Sequence, residues 1–271
     1  MSSGVLAKTV RGFTEALAQT LVAEHSARQR GVMQALDPRV KLVGVLALVV
    51  AAALSRKLVV MAVLFGLALV LAVLSRLSLW SLAKRVWVVA FAFTFMIAAP
   101  ALFLTPGAAL YHLPWGGLAI TAQGARSAML LIARVETAVT LSTLLVLTTP
   151  WMHLLKAMRT LLVPVEVIML LAMTHRYVVL LTETANAMFE SRQSRMVGRL
   201  NGHEQRRLMV NTGGVLMSKT LELGNEVFLA MQARGFRGEV RLLTNFRLRG
   251  WDYVAMMGFA ALVVTAAVAG R

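Results

Sequence analysis

The stretch LVVMAVLFGLALVLAVLS, residues 58–75, contains no charged side chain. Wound as an α-helix, a run of this length approaches the ~20 residues that cross a ~30 Å hydrocarbon core. Similar runs flank it on both sides: VKLVGVLALVVAAALS (40–55), VWVVAFAFTFMIAAPALFL (86–104) and WDYVAMMGFAALVVTAAVA (251–269). A fifth lies within 118–149, a stretch too long for one upright helix, and it carries Arg126, Arg134 and Glu136. A soluble protein with buried helices does not accumulate five such runs. Composition agrees: 58% of the 271 residues are hydrophobic and the mean hydropathy is +0.72, above the apolar share of a soluble domain. The fold class expected is an all-α integral membrane protein with about five transmembrane helices.

The chain has no cysteine, so disulfides, thiolate metal sites and cysteine nucleophiles are excluded together. Its formal charge of +16 is compatible with nucleic-acid binding or with a membrane protein that has a large cytoplasmic side. The placement of the charges decides. With the N-terminus cytoplasmic, only Arg56, Lys57 and Arg271 fall on the opposite side. Arg126 and Arg134 lie at membrane depth, and every other Lys and Arg falls inside. The positive-inside rule therefore gives an inside N-terminus, an outside C-terminus and five spans. Topology accounts for the charge, and no nucleic acid is implied. Residues 1–36 lack the continuous apolar core of a secretory signal. Leu6, Val10, Phe13, Leu17 and Leu21 recur there at helical spacing, which predicts an amphipathic helix on the membrane surface or against the protein. The domain division expected is an amphipathic segment 1–39, four transmembrane helices over 40–149, a cytoplasmic module over 150–250 and a last span over 251–271.

The module is built differently. Pro150, Pro164 and the turn around Asn201-Gly202-His203 divide it into three helices, about 150–163, 165–198 and 204–237. In the second, Leu180, Thr184, Ala187, Met188, Ser191 and Arg195 share a face. In the third, Leu216, Thr220, Leu223, Val227, Ala230, Met231 and Arg234 do. Both run from an apolar body to an arginine and then a glycine, Gly198 or Gly235. Glycine suits the left-handed position that ends a helix. An arginine there presents a planar fork able to hold a carboxylate through two parallel bonds, and small neighbours (Ser194, Ala233, Gly235) let a partner's walls come close. The plainer reading is a solvated cation completing the helix dipole.

In order and spacing these segments resemble the transmembrane T component of energy-coupling factor (ECF) transporters, the EcfT/CbiQ family. LDPRVKL (36–42) looks like the approach to the family's first span. LLVLTTP (144–150) and HLLKAMRTLLVP (153–164) look like the start of its coupling module. HRYVVLLTETANAMFESRQSR (175–195) and EVFLAMQARGFRG (226–238) look like its two coupling helices. The family signature Ala-Arg-Gly stands at Ala233-Arg234-Gly235. The first copy departs from it: Ser194-Arg195-Met196 keeps only the arginine, and Ser191-Arg192-Gln193 is an alternative register. The resemblance implies a non-catalytic scaffold in a bacterial cytoplasmic (inner) membrane. Its two coupling tips insert into two cytoplasmic ATPase subunits, which hold the ATP and Mg2+. Its membrane part holds a substrate-binding S component. The amphipathic start (16–42) looks more like the cobalt/nickel branch, with Co2+ or Ni2+ as cargo on a CbiM-like S component and a small CbiN-like subunit as a further partner. A vitamin-uptake T component and an integral-membrane enzyme are the alternatives.

No catalytic pattern competes with this. GGVLMSKT (213–220) approaches a P-loop, but Ser218 stands where the second glycine belongs and the segment lies inside a helical pattern. The histidines at 25, 112, 153, 175 and 203 are dispersed, so no metal or other cofactor is expected on this chain. His112 is expected at the membrane interface. Arg134 and Glu136, two apart, point to different sides of a helix. Each is expected to anchor a neighbouring helix, unless one contacts the S component.

Overall fold

The computed structural model describes residues 31–104, 109–112, 119–195, 201–236 and 250–270, with Gly12 and Ala27 as single positions. The amphipathic N-terminal segment, Met196 and Gly198 lie outside the described residues. The chain divides into two compact units, residues 24–157 with 246–271, and residues 1–23 with 158–245.

The larger unit is a helical bundle, as its five apolar runs require. A single turn, α1 (Val32–Ala35), leads into α2 (Pro38–Leu54) and α3 (Leu58–Leu74). A short α4 (Leu79–Leu82) and a π-helical turn (Ala83–Trp87) precede α5 (Val88–Leu104). A small antiparallel hairpin, β1 (Ala109–His112) and β2 (Ala119–Thr121), follows; it pairs His112 with Ala119 and has an irregularity between Ala109 and Tyr111. Then come α6 (Ala122–Thr148), α7 (Trp151–Met158) and, after the second unit, α10 (Gly250–Ala269). Part of the stretch 118–149 is thus taken up by β2. The rest forms one helix of 27 residues, about 40 Å long.

Helix α6 is the centre of the bundle and packs against α2, α3 and α5, while α10 packs against α2. The contact faces carry small or hydroxylated residues: Ala51 and Ala52 on α2, Ala68 and Ala72 on α3, Thr137, Thr140 and Thr148 on α6, all buried. In lipid, where burial in water gives no drive between helices, such residues let backbones approach and gain dispersion contacts. The threonines return their hydroxyl protons to the carbonyl four residues back, as Thr137 does to Ala133 O at 2.7 Å and Thr140 to Glu136 O at 2.6 Å. No hydroxyl proton of theirs is then left over in the apolar interior. Outward faces are large and apolar, with Val89, Phe91, Phe93, Met96 and Ile97 of α5 all exposed, as a lipid-facing surface demands. The π turn places Trp87 so that Nε1–H donates to Thr140 Oγ1 at 3.0 Å, with its ring tilted against Phe65.

The smaller unit contains a 3-10 turn (Arg159–Leu161), closed by Leu162 in the left-handed conformation, and two long helices. These are α8 (Val165–Ser194) and α9 (Gly202–Ala233). Asn201 and Glu204 form a reciprocal capping box at the start of α9, a favourable way to satisfy the first free N–H groups. Helix α8 stops at Ser194, four residues before the expected terminal glycine.

Among the described residues three helices are long and apolar enough to cross a membrane: Ala122–Thr148, Val165–Arg192 and Gly250–Ala269. Leu58–Leu74 and Val88–Pro100 are shorter apolar helices. The all-α membrane fold expected from the sequence is observed.

Candidate functional site: two arginine-bearing helix ends

Helix α9 ends at Ala233, with Arg234 as its cap residue. The N–H of Gly235 donates to Gln232 O at 2.9 Å, and that of Phe236 reaches back to Met231 O at 3.0 Å. This pair of bonds is a Schellman closure, which needs a left-handed residue between cap and reversal. Gly235 supplies it, with φ +77°. Nothing lies within 4 Å of the position a Cβ would take on Gly235, so the requirement is conformational and the flank is open. Gly235→Ala is expected to weaken the closure by roughly 1 kcal/mol. Amide hydrogen exchange at Phe236 should then quicken about fivefold relative to the native chain.

The apolar contact that accompanies such a closure joins Met231 and Phe236, which both line a cavity of about 610 Å³ between α9 and α8. Its α8 wall runs from Met169 to Leu181 and its α9 wall from Thr220 to Met231. Leu223, Val227 and Met231, on the face recognised in the sequence, turn towards α8. The α8 wall, in contrast, is Met169, Met173 and Tyr177 with their neighbours, and the face through Leu180, Thr184 and Arg195 is not part of it.

This packing separates the two arginines. The α9 end lies beside the first half of α8, whereas Arg195 stands fourteen residues beyond Leu181, the last α8 residue in the cavity wall. That is about 20 Å of helix or more. Arg195 is exposed, and its N–H makes a last tight turn to Arg192 O at 3.2 Å. Ser194 is exposed too and donates its hydroxyl proton to Ser191 O at 2.9 Å. Arg192, the alternative register, is half-buried one turn earlier. Ala233, Arg234 and Gly235 are all exposed.

Within the bundle a second polar cluster appears that periodicity could not reveal. Asp37 caps α2 by accepting the Arg39 N–H at 2.8 Å, and its own N–H donates to Asp252 Oδ1 of α10 at 2.8 Å. Lys41 Nζ donates to the carbonyl of Thr148, the last residue of α6, at 3.1 Å. The signals existed, LDPRVKL and LLVLTTP, but nothing in the sequence joins residues 107 and 215 positions apart. At the other end of α2, Arg134 Nη2 donates to Ser55 O at 2.9 Å and the Arg56 N–H donates to Gly270 O at 2.9 Å. Arg134 therefore anchors a neighbouring helix, as expected. Glu136 does not: both its carboxyl oxygens are buried without a hydrogen-bond partner among the described residues. Among the described residues no three His, Asp or Glu side chains converge as metal ligands would. The segment 213–220 is regular helix within α9, so its amides are spent on helical bonds and cannot cradle phosphates as a P-loop does.

Residues 29–244 match the profile of the family CbiQ, described as cobalt transport protein. An uncharacterized protein of Methanocaldococcus jannaschii is 29% identical over 97% of this chain and 91% of its own length. The energy-coupling factor transporter transmembrane protein EcfT of Brevibacillus brevis is 29% identical over 75% of this chain and 80% of its own. The cobalt transport protein CbiQ of Rhodobacter capsulatus is 30% identical over 53% of this chain and 59% of its own.

Proposed function

Because the chain belongs to the CbiQ/EcfT family of ECF-transporter transmembrane components, we propose that it transmits the motion of two cytoplasmic ATPase subunits to a substrate-binding membrane subunit, for uptake of cobalt or nickel. It works as a scaffold and catalyses no reaction. ATP and Mg2+ belong to the ATPases and the metal cargo to the S component.

The observation that carries this reading is the exposure of Arg195 and Arg234 at two well-separated helix ends. Two separate subunits can each take one tip. At each tip a guanidinium fork offers the geometry that a groove carboxylate needs. Arg195 is the better register of the first tip, since it stands at the helix end whereas Arg192 is set back and half-buried.

The bundle supports a cytoplasmic position for the tips. Helix α6 finishes beside the start of α2, and α10 begins there as well. The end of α6 and the start of α10 therefore lie on one face of the bundle. The excess of Lys and Arg makes that face the cytoplasmic one, with the N-terminus inside a bacterial inner membrane. The family description favours cobalt; vitamin uptake is the alternative cargo reading.

The chain has no native cysteine, so single cysteines at Ser194 and Ala233 can carry a short cross-linker in native membranes. Both are expected to capture an ATP-hydrolysing subunit. Capture at neither, with the subunits present, would overturn the coupling role. Uptake of labelled Co2+, Ni2+ and vitamins by the assembled transporter distinguishes the cargoes.

A further inference from the structure

We infer that the buried cluster of Asp37, Lys41, Asp252 and the Thr148 carbonyl is the footing of the coupling module, and that Lys41 is its positioning residue. The inference rests on the coupling function proposed above and assigns a role to residues far in sequence from either arginine tip.

Three helix ends meet in this cluster. The starts of α2 and α10 carry partial positive charge, and the end of α6 carries partial negative charge. The side chains match those signs: Asp37 at the start of α2, Asp252 in the first turn of α10, and the Lys41 ammonium on the last carbonyl of α6. Lys41 is only 1% exposed, Asp252 3% and Asp37 8%. Lys41 stands one helical turn after Asp37, and the Asp37 N–H donates to Asp252 Oδ1 at 2.8 Å, so the three residues share one place at the helix ends. An ion group withdrawn from solvent to this degree is costly unless every member is held in place. The geometry is therefore specified tightly, and removing one member disturbs the others.

The location gives the cluster its consequence. Thr148 is the last residue of α6; Thr149 is extended and buried, and Pro150 begins the path into α7. As the last residue of α6, Thr148 has a carbonyl with no intrahelical N–H to accept, and Lys41 Nζ donates to it at 3.1 Å. Lys41 thus fixes the end of α6, from which the chain runs through Thr149 and Pro150 into α7, the last helix of this unit before the arginine-tipped helices. A load that enters this unit along the chain through α7 passes to α6 at this point, and is transmitted only if the point does not yield. Without the ammonium, the end of α6 frays, and motion of the module is spent there.

The test uses the complete transporter with Lys41→Met, which keeps an unbranched apolar stem of similar size. Lys41→Met/Asp252→Asn is the second variant, relieving the unbalanced carboxylate. Two readouts are taken. One is cargo uptake and ATP hydrolysis per assembled complex. The other is the distance distribution between nitroxide labels on cysteines placed at Met152 of α7 and Trp80 of α4, both exposed. The expected result is ATP hydrolysis within about twofold of native, uptake per complex lower by about tenfold, and a broadened distribution. Uptake that falls only with the amount of complex, or an unchanged distribution, would overturn the footing. If neither variant assembles, the cluster is a folding element and the proposal fails. Arg234→Glu, run in parallel, keeps the two readings apart. If that variant retains ATPase subunits and uptake, the coupling role fails, while the label distribution still reports on Lys41.

Discussion

On the proposed coupling role, Arg234→Glu is expected to abolish uptake by the transporter while the chain still inserts in the membrane at native amount. Inside the chain the substitution changes little. Arg234 is exposed, and an acidic side chain at a helix C-terminus costs about 0.3–1 kcal/mol against the dipole. The main effect is expected on the proposed ATPase partner. Reversing one charge of a hydrogen-bonded pair, and leaving the other in a groove beside a like charge, costs on the order of 2–5 kcal/mol. Each 1.4 kcal/mol is about a factor of ten in affinity. Loss of co-purifying ATPase at unchanged expression is the measurement. Normal co-purification with normal uptake would remove Arg234 from the coupling mechanism. Arg195→Glu should produce a similar or weaker defect, since its tip keeps only the arginine of the family signature.

The second large effect is expected from Gly44→Val, in the middle of α2. A Cβ at this position would lie 2.6 Å and 2.7 Å from ring carbons of Phe259, itself only 8% exposed. One of the two atoms concerned is Cγ, next to the side-chain root, so the ring cannot swing clear by a small adjustment. Either the Phe259 rotamer or the α2–α10 spacing must change. Overpacking of this kind costs typically about 1–3 kcal/mol, and here it acts on the packing that holds α10 to α2. Hydrogen bonds at the helix ends also join the two, Asp37 with Asp252, Ser55 with Ala266 and Arg56 with Gly270. The expected outcome is a chain that unfolds more readily in detergent and shows increased proteolysis near α10. Gly44→Val/Phe259→Ala should recover part of the loss, because a contact pair gives a non-additive cycle. If the two substitutions simply add, the Gly44–Phe259 contact does not hold α10.

The origin of each part of this protein can be traced to particular residues. The apolar run at 58–75 had to become a buried or lipid-bound helix, and α3 matches it over Leu58–Leu74. Gly235 after an apolar helical stripe had to stop that helix, since the left-handed closure is open to glycine and costly to other residues. Both features depend on local covalent geometry and on hydrophobicity along one segment, so the sequence by itself determined them. The end of α8 at Ser194, the π turn before Trp87 and the hairpin in the outer connection were not legible, because each depends on what neighbouring elements require.

The partners of isolated charges belong to the second class as well. A lysine in LDPRVKL reads as one more inside cation. Only when α2, α6 and α10 come together does its ammonium lie on Thr148 O, with Asp37 and Asp252 joined at the neighbouring helix starts. Likewise the two arginine ends read as a matched pair, and it is the packing of α9 along the first half of α8 that sets them far apart. The physical reason is the same in both cases. Burial and chain termination are properties of a segment, whereas the pairing of polar groups is fixed by which helix ends share a face of the membrane, and only the folded chain decides that.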